Sequence, residues 1–321
     1  MIFNLFASIP VNAKSHVRGW AMHWAESVGT TIASKDTDLS SCSKLYWEHG
    51  VNFGGGLNLF GGVTDEVVDK IDQLVNFNGQ LFSLDLPMPN YAEQLAKRIG
   101  QATCSPRLTQ SLLGAFKSKL KSSQTLLQNE LCLTNIAVGD SHTTAFALPN
   151  SMVLRNNGLT LHGALNKAEF IKQIVSCKKP PGHITLVAGS IDIRHHIGRQ
   201  TNPTQSVKDL CNRYNQIIEF IQSELPIQVE VAAPVPVEYE ERKLPKTGYY
   251  KDTPFCGSMA LRREWTNYFI ELMSCDNKVI GPPAEWYTMD GEEYAKQYME
   301  LGSSVHIAPT SYRRFNWGQK D

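Results

Sequence analysis

The sequence is poor in the features that most quickly assign a function. It has no excess of either charge: 31 Lys+Arg are cancelled by 31 Asp+Glu. No global field therefore draws the chain to nucleic acid or an anionic membrane, although a local basic groove stays open. No segment approaches the roughly 18 consecutive apolar residues that a bilayer-spanning helix needs. The 7 cysteines contain no C-x-x-C pair, which argues against a zinc framework and a disulfide scaffold. That usage fits a reducing compartment, and the expected location is cytoplasmic. The opening "MIFNLFASIPVNAKSH" has apolar residues with no basic stretch before them. It reads as a first core strand rather than a signal peptide. Neither G-x-x-x-x-G-K-[ST] nor a clean G-x-G-x-x-G occurs, and there is no internal repeat or low-complexity segment.

What remains is an ordinary globular composition, 42% hydrophobic and 19% charged over 321 residues. Such a chain can bury one large core or two modest ones. In its first part, "MIFNLFA", "TTIAS", "SKLYWEHGVNF" and "QLFSLDLPMPN" read as strands. "VTDEVVDKIDQLVNF" has helical spacing at Val67, Val68, Ile71, Leu74 and Val75, with Thr64 and Asp65 as caps. "YAEQLAKRIGQ" and "RLTQSLLGAFKSKLKSSQTLLQNE" read as helices, the second a polar surface or connecting helix. From about Leu131 strands and helices alternate. "LTNIAVGD", "HITLVAGSID" and "IQVEVAAPVPV" are buried strands, and "SMVLRNN" with "LTLHGAL" reads as a short strand and a loop. "NKAEFIKQIVSC", "SVKDLCNRYNQIIEFIQSEL", "MALRREWTNYFIELMSC" and "GEEYAKQYMELG" are helices. The expected class is α/β, a parallel sheet flanked by helices, with an additional N-terminal α/β region. The division falls at 1–129, of unassigned role, and 130–321.

In such sheets ligands sit beyond the carboxyl ends of the strands. That rule singles out Gly139–His142, Gly189–His196 and Ala233–Glu238. The first is the most pointed. "IAVGDSHTTAF" runs from buried strand into glycine, acid, hydroxyl and imidazole. Asp140 or Ser141 can simply cap a helix there. Alternatively, Ser141 can present its hydroxyl at the sheet edge as a nucleophile, provided that a base reaches it. Near the other end, His306 in "SSVHIAPTSYRRF" sits in an apolar setting before a proline.

Three segments together carry a resemblance. "GDSH" at 139–142, after its apolar strand, resembles the nucleophile block of the SGNH/GDSL hydrolase superfamily. "VHIAPTSYRR" at 305–314 is similar to that family's terminal block, where a histidine precedes a small residue, a proline and an aromatic-basic helix. "VAGSIDIRHHI" at 187–197 stands where the third block falls, and looks most like a divergent subgroup with Gly-x-Ile-Asp-x-Arg-x-His. The likeness spans roughly residues 130–315.

The resemblance implies an SGNH-like, flavodoxin-like three-layer sandwich and a cofactor-free serine esterase or acyltransferase. Ser141 would attack an ester carbonyl, and His306 would take its proton. The oxyanion would be held by the Ser141 N–H and a glycine N–H, best matched by Gly163, with Gly158 as alternative. Two positions depart from the family pattern. Ser303 stands where an aspartate usually supports the histidine. Asp290, Glu293 or Asp192 could supply that carboxylate instead, and some members work with a Ser–His dyad. Ile191 stands where an asparagine usually donates to the oxyanion. Asp192 would then fix Arg194, His195 or a substrate hydroxyl, and the donor could be Asn156, Asn157, His142 or His162. Asp140 and His142 flank the serine as supporting groups.

Other segments have bland readings beside functional ones. "FGGGLNLFGG" at 53–62 is a surface loop or a ligand cradle. His195 and His196 with Asp192 or His183 could hold a metal, but neighbours on a strand point to opposite faces, so no metal is expected. "YEERKLPKTGYYKD" at 239–252 is a solvated loop or a lid that uses Tyr249 and Tyr250. Arg313 and Arg314 either bind phosphate or dock the last helix. The expected ligand is a small-molecule, carbohydrate or nucleotide substrate. No membrane is expected as a partner, and nucleic acid is not indicated by the net charge. Two other functions stay open: a catalytically impaired fold that binds a sugar or nucleotide, and a transferase that modifies a nucleotide or nucleic acid.

Overall fold

A computed structural model describes residues 1–5, 9, 16–34, 37–48, 63–84, 91–101, 104–125, 135–148, 151–155, 159–166, 182–235, 255–282, 298–299 and 306–307. Its contacts divide the chain into two compact units. Met1–Val11 and Ala21–Leu131 build most of the first, and Cys132–Leu244 with Asp252–Asp321 most of the second.

The first unit contains β1 (Ile2–Asn4), most of α1 (His16–Ser27), β2 (Lys44–Glu48), α2 (Asp65–Asn76), β3 (Gln80–Ser83), α3 (Tyr91–Gln101), α4 (Gln110–Ser122) and β4 (Gln124–Thr125). The four strands are parallel and lie in the order β1-β2-β3-β4. Strand alternation sends Phe3, Leu45, Trp47 and Leu81 to one face. There they share a core with Val67, Ile71 and Leu74 of α2, Leu95 and Ile99 of α3, and Phe116 and Leu120 of α4. Trp47 packs edge-on to Phe116 and donates its indole N–H to Ser123 Oγ at 3.0 Å. Tyr46 and Phe82, the intervening residues, stack with ring centroids 5.1 Å apart. Thr64 caps α2 as expected, its hydroxyl accepting from the Val67 N–H.

Several elements differ from expectation. The segment from Arg107 to Glu130 is not one helix. Thr109 caps α4, which ends at Ser122, and Gln124–Thr125 then pairs with β3. Phe116 and Leu120 are fully buried, so α4 is a core helix rather than a polar connector. In "TTIAS" only Ile32 makes a bridge, to Ile2.

The second unit contains β5 (Asn135–Gly139), α5 (Thr143–Phe146), β6 (Ser151–Arg155), α6 (Leu161–Asn166), β7 (His183–Val187), α7 (Pro203–Glu224), β8 (Gln228–Ala232), α8 (Met259–Asp276) and β9 (Lys278–Ile280). All five strands are parallel, in the order β6-β5-β7-β8-β9. The α/β class is thus what the structure holds, and in this sheet the order is the flavodoxin-like 2-1-3-4-5. After β5 the chain steps to one side for β6, then crosses back over β5 to lay down β7. This reversal opens a crevice at the carboxyl ends of β5 and β7.

α7 starts with Asn202 as cap and Pro203 in its first turn. It buries Val207, Leu210, Cys211, Tyr214, Ile217, Ile218 and Ile221, a helical repeat. It packs along α8, whose buried residues include Trp265, Phe269 and Met273. Away from the crevice, the buried Glu230 on β8 accepts from Thr185 Oγ1 at 3.0 Å and meets His183 Nε2 and Lys278 Nζ, each at 3.3 Å. The segments 53–62, 167–177 and 239–252, and the terminal "YRRFNW", lie outside the described residues.

Candidate functional site

The site is built where β5 ends. Gly139 sits so close to β7 that a Cβ on it would lie 1.7 Å from Val187 O. Only glycine lets the two strands run together to this point. The Asp140 N–H then donates to Val187 O at 2.9 Å and ends the ladder. Asp140 turns the chain. Its Oδ1 accepts the His142 backbone N–H at 2.8 Å and lies 3.0 Å from His142 Nδ1. Its carbonyl accepts from Thr143 Oγ1 at 2.6 Å. This aspartate-closed turn leaves His142 at φ −86°, ψ −7°, the sparsely populated bridge region. Ser141 completes the turn, and its N–H donates to no acceptor among the described residues.

The side chain it meets comes from far along the chain. His306 Nε2 lies 2.8 Å from Ser141 Oγ. His306 is pinned by its neighbour: Ile307 is fully buried in a cluster with Ala145, Phe146, Val187 and Ala232, and bridges to Met299. The His142 and His306 rings lie with centroids 5.0 Å apart, tilted 36°. Two imidazoles, a hydroxyl and a carboxylate thus gather at the carboxyl end of β5.

The neighbouring strand supplies the other wall. Beyond β7 the chain turns through Gly189, whose φ of +106° favours glycine. Asp192–His196 then form one π-helical turn, a form often found at functional sites. His195 and His196 are therefore not strand neighbours, and His183 lies at the start of β7 beside Glu230. Among the described residues no group of three or more His, Cys, Asp or Glu could hold a metal ion.

Asp192 is buried, and its oxygens accept the backbone N–H groups of Leu161 at 2.6 Å and His162 at 3.0 Å. It caps α6, a helix that stands where a loop was expected. Burial pushes the Asp192 carboxyl up to about 6, against the opposing pull of the His162 and Leu161 amides; the negative charge of Asp140 adds to the rise. Gly163, the expected second oxyanion donor, gives its N–H to Thr160 Oγ1 at 2.9 Å. Arg194 is buried within the π-helical turn. Asn156, Asn157, Gly158, Asp290, Glu293 and Ser303 lie outside the described residues.

Sequence reasoning passed over two residues near this edge. Arg155, in register with Gly139, ends β6 with its buried guanidinium over the Trp20 ring at 4.8 Å. A charge closing an otherwise apolar strand was the available signal. Tyr214 of α7 is fully buried, and burial raises its phenol well above the usual range, with Asp140 adding to the shift. A tyrosine at a core position of a helix gives no such signal.

No family model and no curated protein matches the chain. Solved structures do match. A Streptococcus pneumonia protein assigned as a platelet activating factor aligns at 17% identity and TM-score 0.40, covering 58% of this chain and 81% of that one. The acetyl xylan esterase AlAXEase aligns at 14% identity and TM-score 0.37, covering 56% and 94%. A Bacteroides fragilis protein assigned as an acylhydrolase aligns at 13% identity and TM-score 0.37, covering 56% and 80%. Likenesses this distant carry no argument about activity, so function rests on the chain's own geometry.

Proposed function

We propose that the second unit is a serine-dependent acyl-ester hydrolase or acyltransferase of the SGNH/GDSL type. The observation that carries this reading is the 2.8 Å approach of His306 Nε2 to Ser141 Oγ, made at the carboxyl ends of β5 and β7.

The chemistry follows from that contact. With Nε2 unprotonated, His306 accepts the Ser141 proton as Oγ bonds to the ester carbonyl carbon. The carbonyl electrons move onto oxygen, and the Ser141 N–H donates a hydrogen bond to that oxygen. The His306 imidazolium gives its proton to the leaving alcohol as the C–O bond breaks, which leaves an acyl-serine. An incoming hydroxyl then loses its proton to His306 and attacks the acyl carbon, and the proton returns to Ser141. Water as that nucleophile makes the protein a hydrolase, and another alcohol makes it a transferase. Asp140 and His142 hold the turn that carries the nucleophile. Asp192 holds the start of α6.

A second reading, a binding module on the same fold, draws on one observation: the Gly163 N–H is already donated to Thr160. One experiment separates the two. A fluorophosphonate probe should label the protein at Ser141, and p-nitrophenyl acetate should be turned over. Ser141→Ala should abolish labelling, and His306→Ala should reduce turnover by about a thousand-fold or more. A well-folded protein that neither labels nor turns over the ester is the binding module.

A further inference from the structure

A cavity of about 430 Å³ opens between the start of α6, the turns that follow β7, and the first half of α7. That size suits a small ligand. The Ser141–His306 chemistry does not use its wall, which includes His162, Asp192, His196, Gln200, Asp209 and Arg213.

The wall is held in place. Asp192 fixes the backbone of His162 from below. Arg213 Nη1 lies 3.2 Å from the His162 Nδ1. Asp209 Oδ1 accepts from Gln205 Nε2 at 2.8 Å. His196 is half-buried, and its pKa is lowered, first by that burial and then by the charges of Arg199 and His162.

Charge decides what such a wall accepts. The permanent cation of the lining is Arg213, and its carboxyl groups are Asp209 and Asp192. The Asp192 oxygens are already engaged by backbone amides. The cavity therefore has no surplus positive charge for a phosphate or carboxylate. It does not gather acceptors as a cation site would. Its lining mixes donors (Arg213, Gln200), acceptors (Asp209, the Thr160 and Ser206 hydroxyls) and the His162 imidazole with the apolar side chains of Ile197 and Leu210. Such a mixture of donors, acceptors and apolar surface pairs with a ring that carries vicinal hydroxyls, each of which donates and accepts.

From this geometry we infer that the cavity is a binding site for an uncharged, hydroxyl-rich ligand, of the size and chemistry of a sugar ring. It stands whether or not Ser141 is a nucleophile.

The test uses the full chain carrying Ser141→Ala, so that no turnover interferes. Saturation-transfer NMR is run with methyl glycosides of xylose, galactose, glucose and N-acetylglucosamine, and with glucuronate and inorganic phosphate as charged probes. At least one neutral glycoside should bind in the millimolar range and more tightly than either charged probe. Asp209→Ala and Arg213→Ala, both on the solvent-accessible side of α7, should each weaken it at least five-fold. Ser206→Phe, which fills the cavity without removing either charge, should abolish it. Three results would overturn the inference: no binding by any glycoside to the folded protein, tighter binding of phosphate or glucuronate, or binding that survives Ser206→Phe. Loss of fluorophosphonate labelling in the parent protein would bear on the esterase reading alone.

Discussion

Two parallel sheets in one chain differ in a single topological respect. The first runs β1-β2-β3-β4, each strand laid beside the last in the same direction. The second reverses once, in the order β6-β5-β7-β8-β9. Without a reversal, consecutive connections leave side by side and nothing parts above the strand ends. With one, the connections after β5 and β7 leave in opposite directions and a crevice is left between them. Buried chemistry follows the same division. In the first unit Asn4, His23 and Ser83 are the buried polar side chains among the described residues. In the second, Asp140, Ser141, His142, Asp192, Arg194 and His195 are all buried at the reversal. The first sheet is built for packing. The second uses burial to hold polar groups in place, which costs free energy unless each is bonded.

The largest test of that contrast is the Ser141–His306 pair itself, since on the proposed reading its loss should remove activity while leaving the melting temperature of both units nearly unchanged. Next come substitutions in the two cores. Trp47→Ala in the first sheet should destabilise by about 3–5 kcal/mol, with unchanged turnover per folded molecule. Gly139→Ala in the second pushes a methyl into Val187 O, and should both destabilise by about 3 kcal/mol or more and abolish turnover in the molecules that fold. Urea melts paired with active-site titration separate these outcomes. Turnover that survives Gly139→Ala would break the proposed link between strand approach and site.

Acid titration sharpens the comparison, because the two units have carboxylates shifted in opposite directions. Asp38 is held below its usual range by hydrogen bonds from the Ser40 side chain and backbone, and Glu93 by Lys121. Their contribution is present above the ordinary carboxylate range and is lost as pH falls. Asp192 is raised to about 6, so the folded state binds its proton more tightly than the unfolded chain does. Its effect is absent below about pH 4 and becomes a penalty as pH rises through 6. Wild type should lose about 2 kcal/mol relative to Asp192→Asn between pH 4 and pH 6.5. Parallel pH–stability curves for the two proteins would exclude this account. The smallest effect is expected at Tyr214, whose fully buried hydroxyl has no hydrogen-bond partner among the described residues. Tyr214→Phe should leave stability unchanged or raise it by up to about 1 kcal/mol, as read from chemical denaturation.

What the sequence made legible was local. The apolar run to Val138, broken by glycine and three polar residues, marks a strand end, and Ser141 stands at one. The helical spacing in α2 and its Thr64 cap were readable because both signals lie within one turn. α1 went unread although Trp20 and Trp24 are buried one turn apart. β4 and β9 are too short, at 2 and 3 residues, to show any period. α6 was taken for a loop because its cap is a carboxylate from residue 192, about thirty positions away. The same distance hid the commitment of Asp192. Its sequence neighbours Arg194 and His195 were the natural partners to expect, and the fold gave it two amides instead.

The contact between Ser141 and His306 spans 165 positions, and this has a consequence for the order in which the molecule acquires reactivity. A ribosome adds roughly 5–20 residues per second, and N-terminal regions fold first. The strand that carries Ser141 therefore emerges many seconds before the segment that carries His306. Through that interval the serine is an ordinary alcohol. On the proposed reading, the partly made protein does not react with the esters around it, and Ser141 becomes a nucleophile only when Ile307 seats in its pocket.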